Sequence, residues 1–451
     1  MKVTAVLLAA GQGTRMKTRF PKVLHPVCGK PMLAYAVEAA CSASTGQPVV
    51  VVGKDAQAVC DFLGDSALCV VQDPPLGTGH AVQQVQASLR GKTDLVLVTY
   101  ADMPLLRLET LTRLIETQKN NPGPISMLTA ISADPRGFGR IVRNSEGAVQ
   151  AIVEEAAATP EQLSIRELNV GAYCFSADWL WDALSRIPLS KKGEYYLTDT
   201  IGLAVNAGLA VQALICEDLS EIIGINTRVH LAEAEAAMRM RINRAHMLAG
   251  VTIVDPNATY VEAGVTIGRD TVIWPNTYLR GKTSIGEGCT IGPNTIAQDT
   301  TIGDDCTVLA AVMEKALVED DVSIGPFARL RKGAHLCKGV HMGNFGEVKD
   351  STLGPGTKMG HFSYLGNATL GADVNIGAGT ITCNFDGVNK NPTEVGESAF
   401  IGSDTMLVAP VKVGARAKTG AGAVVTKDVE ADTLVVGVPA RPIRKLNEAK
   451  K

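Results

Sequence analysis

Three groups of residues in this 451-residue chain have types and spacing suited to chemistry. The first is Leu8-Ala9-Ala10-Gly11-Gln12-Gly13-Thr14-Arg15-Met16, with Lys22 seven residues beyond Arg15. A glycine-rich turn after a strand offers backbone N–H groups to phosphate, and two cations add charge. The run is neither a dinucleotide fingerprint, since Met16 stands at the sixth position, nor a Walker loop, since no Gly-Lys-Ser/Thr follows. A tight strand-to-helix turn with surface charges is the plain alternative. The second group is Tyr100-Ala101-Asp102, at the end of the apolar run Leu95–Tyr100. A carboxylate there suits Mg²⁺, which prefers hard oxygen ligands beside phosphates, but it also suits a helix cap. The third is His361, in Met359-Gly360-His361-Phe362-Ser363-Tyr364. An imidazole can take a proton near neutral pH, although a lone histidine often serves only a hydrogen bond.

These groups need elements to hold them. Val3–Ala10, Pro48–Gly53, Leu95–Tyr100 and Ile125–Ala130 are short apolar runs bounded by turn residues, as in buried parallel strands. Amphipathic Met32–Cys41 and Leu108–Gln118 lie between them. The pattern predicts a doubly wound, Rossmann-like α/β domain over residues 1–226, with ligands beyond the C-terminal ends of the strands. Residues 227–250 read as a linker helix, with Thr227 as N-cap and Gly250 as stop.

From residue 251 a six-residue beat takes over, an aliphatic residue followed by glycine, as at Ile285-Gly286, Ile291-Gly292, Leu365-Gly366, Ile376-Gly377 and Ile401-Gly402. Such a period marks a parallel β-helix of about ten coils. The aliphatic residue fills the inside of each corner, and glycine is expected to let the chain turn. The beat weakens between residues 304 and 341. It is lost after Gly377, where Cys383-Asn384-Phe385-Asp386-Gly387-Val388-Asn389-Lys390-Asn391 intervenes. A loop thrown out of a solenoid usually lies on its functional side. Arg331 and Lys349 fall near His361 in the coil count, and residues 439–451 form a short basic tail.

Composition excludes several classes. A net charge of −3 predicts neither nucleic-acid nor membrane binding. Ten cysteines without a CxxC pair or zinc spacing predict reduced thiols and a cytoplasmic setting. Val3–Ala10 is short for a secretory leader, and no run is long enough to span a bilayer.

The N-terminal half resembles the sugar-phosphate nucleotidyltransferases in the glycine-rich run and in Pro21-Lys22-Val23-Leu24, Leu76-Gly77-Thr78-Gly79-His80-Ala81 and Gly193-Glu194-Tyr195-Tyr196-Leu197-Thr198-Asp199. With the solenoid, which resembles the hexapeptide acyltransferases, the whole chain is similar to the bacterial bifunctional N-acetylglucosamine-1-phosphate uridyltransferase/glucosamine-1-phosphate acetyltransferase family. The resemblance implies UDP-N-acetylglucosamine synthesis from acetyl-CoA, UTP and small sugar phosphates, with Mg²⁺, on a homotrimer built through a left-handed β-helix. It implies that Leu8, Ala9, Ala10, Gly11, Tyr100 and Ala101 hold the nucleotide, with Arg15 and Lys22 on its phosphates. Gln72, Gly77 and Thr78 would hold the uracil, whose mixed edge suits an amide. Gly139, Glu154 and Asn169 would hold the sugar, and Asp102 and Asn226 the metal. The attacking sugar phosphate is already an anion, so in-line attack on the α-phosphate needs charge stabilisation rather than a base.

For the second half, the resemblance implies His361 as general base and Arg331, Lys349, Tyr364 and Asn375 on glucosamine 1-phosphate. Ala378, Asn384, Phe385, Ser403 and Ala421 would contact acetyl-CoA. Backbone N–H groups or Asn384 would stabilise the oxyanion. The chain departs from the pattern at three places. Ala101 replaces a glycine and is expected to crowd the nucleotide. Ala156-Ala157 replaces a Lys-Asp pair. Gly437 stands where an arginine is common, leaving Arg441 to contact CoA. The competing readings are a related nucleotidyltransferase with a regulatory β-helix and a non-catalytic scaffold.

Overall fold

The computed structural model describes residues 1–54 and 56–445. Its contacts divide the chain into two compact units, Met1–Met238 and Arg239–Lys451. The main sheet of the first unit runs in the order Val211–Ile215, Ile125–Ile131, Glu167–Ser176, Leu95–Tyr100, Val3–Ala9, Val49–Gly53, Leu68–Gln72. All pairings along this order are parallel except those of Glu167–Ser176, which runs antiparallel to both neighbours. An apolar run signals burial on both faces but not strand direction, so this reversal had no sequence signal. The hairpin Arg140–Arg143/Val149–Val153 extends the sheet beside Glu167–Ser176.

Two strands decide where a ligand can sit. From Val3–Ala9 the chain fills one side with Val49–Gly53 and Leu68–Gln72, then crosses to Leu95–Tyr100 on the other side. The order reverses between Val3–Ala9 and Leu95–Tyr100, and a crevice opens at their carboxyl ends. The glycine-rich turn and Asp102 both lie there.

The helix Arg228–Leu248 begins as expected. Thr227 Oγ1 accepts from His230 N at 3.2 Å, and Gly250 follows its end with φ 99°. The division between the units falls inside this helix. Within the first unit, Glu235 accepts from Cys28 N at 2.7 Å. Within the second, the buried Asn243 donates to Pro256 O and Thr259 O at 2.9 and 3.0 Å, tying the helix to the first coil.

The second unit is a left-handed parallel β-helix with three walls, of twelve, ten and nine strands among the described residues. Aliphatic side chains stack in its interior from coil to coil, as in Ile273–Ile291–Val308–Ile324–Met342–Met359. The ladder continues through residues 304–341, where the six-residue beat weakens. There Val318, Leu330 and Leu336 keep the inward positions while glycine is absent behind them.

At Gly292, with φ 93°, glycine turns the chain as expected, but other glycines of the beat have a different reason. Gly286, Gly377 and Gly402 do not have positive φ. That conformation is taken by residues such as Asp305, Asp321, Asp373 and Asp404. Instead, a Cβ on Gly286 would lie 2.7 Å from Gly303 C, and one on Gly377 would lie 2.5 Å from Ser403 N. Close stacking of coils, not turning, excludes the side chain. Gly286→Ala is therefore expected to destabilise the β-helix by about 1–3 kcal/mol. Denaturant unfolding checks this, with an unchanged midpoint as the contrary result.

The thiol expectation needs one correction. Cys60 and Cys69 are joined in a disulfide, because the helix Gln57–Leu63 and the strand Leu68–Gln72 bring their Cα atoms within 5.8 Å. A nine-residue spacing gave no such signal. The other eight cysteines are not in disulfides, and most of them are buried. Arg441–Lys445 forms a strand antiparallel to Thr433–Val436. The rest of the basic tail, 446–451, lies outside the described residues. Among the described residues, no helix is long and apolar enough to cross a membrane.

Candidate active sites

Two adjoining cavities open at the crevice of the first unit. The first, about 520 Å³, is lined by Leu8, Ala9, Ala10, Gly11, Lys22, Gln72, Gly77, Thr78, Tyr100, Asp102 and Asn226. The second, about 740 Å³, is lined by Gly139, Glu154 and Asn169. Thr78, Tyr100, Asp102, Tyr196 and Asn226 line both. Each volume suits a small polar ligand, and Asp102 stands where two ligands would meet.

The local geometry explains several of these residues. Gly77 has φ 95°, and a Cβ there would lie 2.6 Å from Tyr195 O, so only glycine fits. The turn is clamped by Gly79 N donating to Tyr195 O and Tyr195 N donating to Leu76 O, each at 2.8 Å. Gln72 is nearly buried and donates from Nε2 to Gly77 O at 2.9 Å. Asn169 Oδ1 accepts from Tyr173 OH at 2.9 Å and Gly171 N at 3.2 Å, which fixes the amide. A side chain on Gly171 would run into the Tyr100 ring. Burial pushes the Glu154 carboxyl above the ordinary glutamate range. Asp199 adds to that shift, while a hydrogen bond from Thr198 and the charge of Lys192 oppose it.

Lys22 Nζ lies 2.5 Å from Asp102 Oδ2 and 2.8 Å from Asn226 Oδ1. A carboxylate and an amide oxygen, 204 residues from Lys22 in the second case, thus converge on one cation. Two hard oxygen donors shared by both cavities fit Mg²⁺, which takes one or two protein oxygens and completes its shell with phosphate and water.

Two expected nucleotide residues lie elsewhere. Arg15 is exposed on the short turn Thr14–Met16 and lines neither cavity. Ala101 is fully buried, with its N–H donating to Leu8 O at 3.1 Å. Its methyl group lines neither cavity. Ala156 lines the second cavity beside the acidic Asp102, Glu154 and Glu155. Lys192 is the one Lys or Arg among the described lining residues there. Nothing in its spacing along the sequence ties it to that site.

In the β-helix, the expected residues fall on two walls that meet at His361. His361 is exposed at the corner between the strands Lys358–Met359 and Ser363–Gly366. On one wall a groove of about 640 Å³ is lined by His361, Asn375, Ala378, Ser403 and Ala421, together with His341, Lys358 and Phe400. The register stacks His341, Lys358, Asn375 and Phe400 in successive coils.

On the other wall, Arg331 pairs with Glu347 at 2.9 Å, and Tyr364 stacks on Glu347 in the next coil. The Lys390 ammonium beside Lys349 lowers the lysine's pKa, with burial and Arg331 adding to the effect. Three cations so placed suit an anionic ligand. The excursion after Gly377 carries Lys390 there. Its tip is braced by Asp386, which accepts from Val388 N at 2.8 Å and Asn389 N at 2.6 Å. Those bonds, with one from Asn391, hold the Asp386 carboxyl down at about 2. Asn384 Nδ2 donates to Asn367 at 2.7 Å, and Phe385 is exposed. Arg441 is exposed on the last strand and lines a separate depression with Lys427 and Lys445, not the His361 groove.

The comparisons with known proteins agree with this division. The family described as "MobA-like NTP transferase domain" matches residues 5–185. "Bacterial transferase hexapeptide (six repeats)" matches 264–296, and "Hexapeptide repeat of succinyl-transferase" matches 282–312 and 392–427. Fold and sites together define a nucleotidyltransferase joined to a hexapeptide-repeat transferase. A protein of Heliobacterium modesticaldum named bifunctional protein GlmU is 48% identical over 436 residues, covering 96% of this chain and 95% of its own length. Proteins of the same name from a Geobacillus species and Trichlorobacter lovleyi are 45% and 46% identical, covering 99% and 96% of this chain and 97% and 95% of their own. The chain belongs to the bifunctional GlmU family. It is a bifunctional enzyme, a nucleotidyltransferase and acetyltransferase of UDP-N-acetylglucosamine synthesis that uses nucleotide and acetyl-CoA substrates.

Proposed function

We propose that the two cavities of the first unit hold UTP and N-acetylglucosamine 1-phosphate, with Asp102 and Asn226 holding Mg²⁺ between them. The sharing of Asp102 by both cavities carries this reading. The backbone of Ala10 and Gly11 binds phosphate, and Gln72, Gly77 and Thr78 bind the uracil. Glu154 and Asn169 orient the sugar, whose phosphate oxygen attacks the α-phosphorus in line and displaces pyrophosphate. Bound Mg²⁺ supplies neutralisation of phosphate charge. Lys22 offsets the negative charge that builds on the leaving group.

Lys192 supplies the cation that Ala156 lacks. Lys192→Met should raise KM for N-acetylglucosamine 1-phosphate at least about tenfold, with a smaller effect on kcat, as expected for loss of a charged hydrogen bond. Lys191→Met, one residue away and lining neither cavity, is the control. Equal KM values for the two variants would remove Lys192 from the site.

In the β-helix, His361 takes a proton from the amine of glucosamine 1-phosphate as its nitrogen attacks the acetyl-CoA thioester. Arg331, Lys349 and Tyr364 bind the sugar phosphate, joined by Lys390. The groove from Asn375 to Ala421 receives acetyl-CoA. The product is the substrate of the first unit, which places the enzyme in the supply of cell-wall precursors in the cytoplasm. The site residues lie on two walls meeting at a corner, and this supports a homotrimer in which neighbouring prisms complete each site. Pyrophosphate release from UTP plus N-acetylglucosamine 1-phosphate, and CoA release from acetyl-CoA plus glucosamine 1-phosphate, test the two halves separately. Failure of either reaction in the folded chain would overturn that half.

A further inference from the structure

Away from both sites, two successive coils of the β-helix bring three metal-binding side chains together. His335 and Cys337 flank the fully buried Leu336, so strand alternation puts both on the outer surface. The preceding coil pairs Leu317 with His335 and Val318 with Leu336, which sets Glu319 beside Cys337. Glu319 Oε1 lies 2.7 Å from His335 Nε2, and Cys337 Sγ lies 3.8 Å from the same nitrogen. All three candidate ligand atoms are within 4.8 Å of one another.

We propose that Glu319, His335 and Cys337 form a zinc site that clips these two coils together. Sulfur, nitrogen and oxygen in one set suit Zn²⁺, and tetrahedral coordination separates its S and N ligands by about 3.6 Å. The sulfur and nitrogen already stand within a few tenths of an ångström of that spacing. The half-exposed Glu319 side chain needs to open from its hydrogen bond by roughly 0.7 Å. Its second oxygen is held by Lys338 N at 2.9 Å, the kind of outer support that orients a ligating carboxylate. The Lys338 ammonium is turned onto Asp321 at 3.1 Å. The next coil pairs Leu353 with Leu336, so Gly354 adjoins Cys337 without a side chain and leaves a fourth position for water. Binding replaces the thiol proton of Cys337, while the imidazole proton moves from Nε2 to Nδ1. One proton is released per ion, and affinity therefore rises with pH below the thiol pKa.

Cobalt(II) is the probe. Titrated into the full chain in a phosphine reductant, Co²⁺ should give a thiolate-to-metal charge-transfer band, saturating at one ion per chain and displaced by Zn²⁺. Oxygen-only binding at Asp102 gives no such band. Cys337→Ser should abolish it, and Glu319→Gln or His335→Gln should weaken binding at least about tenfold. Cys41→Ser, which alters an exposed thiol elsewhere, should leave it intact. Absence of the band in the unaltered chain, or its survival in Cys337→Ser, would show only a surface His–Glu hydrogen bond with a neighbouring thiol.

Discussion

His361→Ala is expected to lose acetyl transfer by about 10²–10⁴-fold, the usual contribution of a positioned general base. The amine of glucosamine 1-phosphate can attack only when neutral, and after attack its nitrogen must shed a proton. His361 is the exposed imidazole at the corner where the groove meets the wall carrying Arg331, Lys349 and Lys390. The loss should appear in kcat, with KM for acetyl-CoA little changed, because the groove lining from Asn375 to Ala421 is untouched. Pyrophosphate release by the first unit should be unaffected. Folding is not at stake, since the side chain is exposed. An unchanged rate of CoA release would assign the base elsewhere, with His341 of the same groove as the next residue to test.

Asp102→Asn should have the opposite pattern. It keeps size and one oxygen but removes the charge that faces Lys22 at 2.5 Å. Metal-assisted charge stabilisation is worth several kcal/mol, so uridylyl transfer should fall by about 10³-fold while acetyl transfer persists. Excess Mg²⁺ should recover part of the loss if the substitution acts by weakening metal binding. Lys22 retains Asn226 as a partner at 2.8 Å, which keeps the turn Lys22–Leu24 in place. Loss of both activities in a folded variant would contradict two independent sites.

Much of the first site was legible because its residues are tied to strand ends. Ala10, Gly11 and Asp102 follow directly from Val3–Ala9 and Leu95–Tyr100, and a switch in strand order makes those ends a crevice. Residues contributed by distant loops were not legible from spacing alone. Lys192 enters the second cavity from the segment before Glu194-Tyr195-Tyr196. Lys390 reaches Lys349 only because the excursion folds back across the wall. Arg15, close in sequence to the phosphate turn, is left outside the cavities because buried Met16 sets that turn's orientation.

The alternation of apolar runs and the six-residue beat determined, without coordinates, that an α/β unit precedes a β-helix. Periodicity is local, and burying it requires that architecture. Family motifs in the chain pointed to the two chemistries. The tertiary structure alone decided the antiparallel course of Glu167–Ser176, the joining of Cys60 to Cys69 and the stacking reason for repeat glycines such as Gly286 and Gly377. It also decided the meeting of Glu319 with His335 and Cys337. Each depends on which residues adjoin across strands or coils, and that register is set by packing between distant segments rather than by neighbours along the chain.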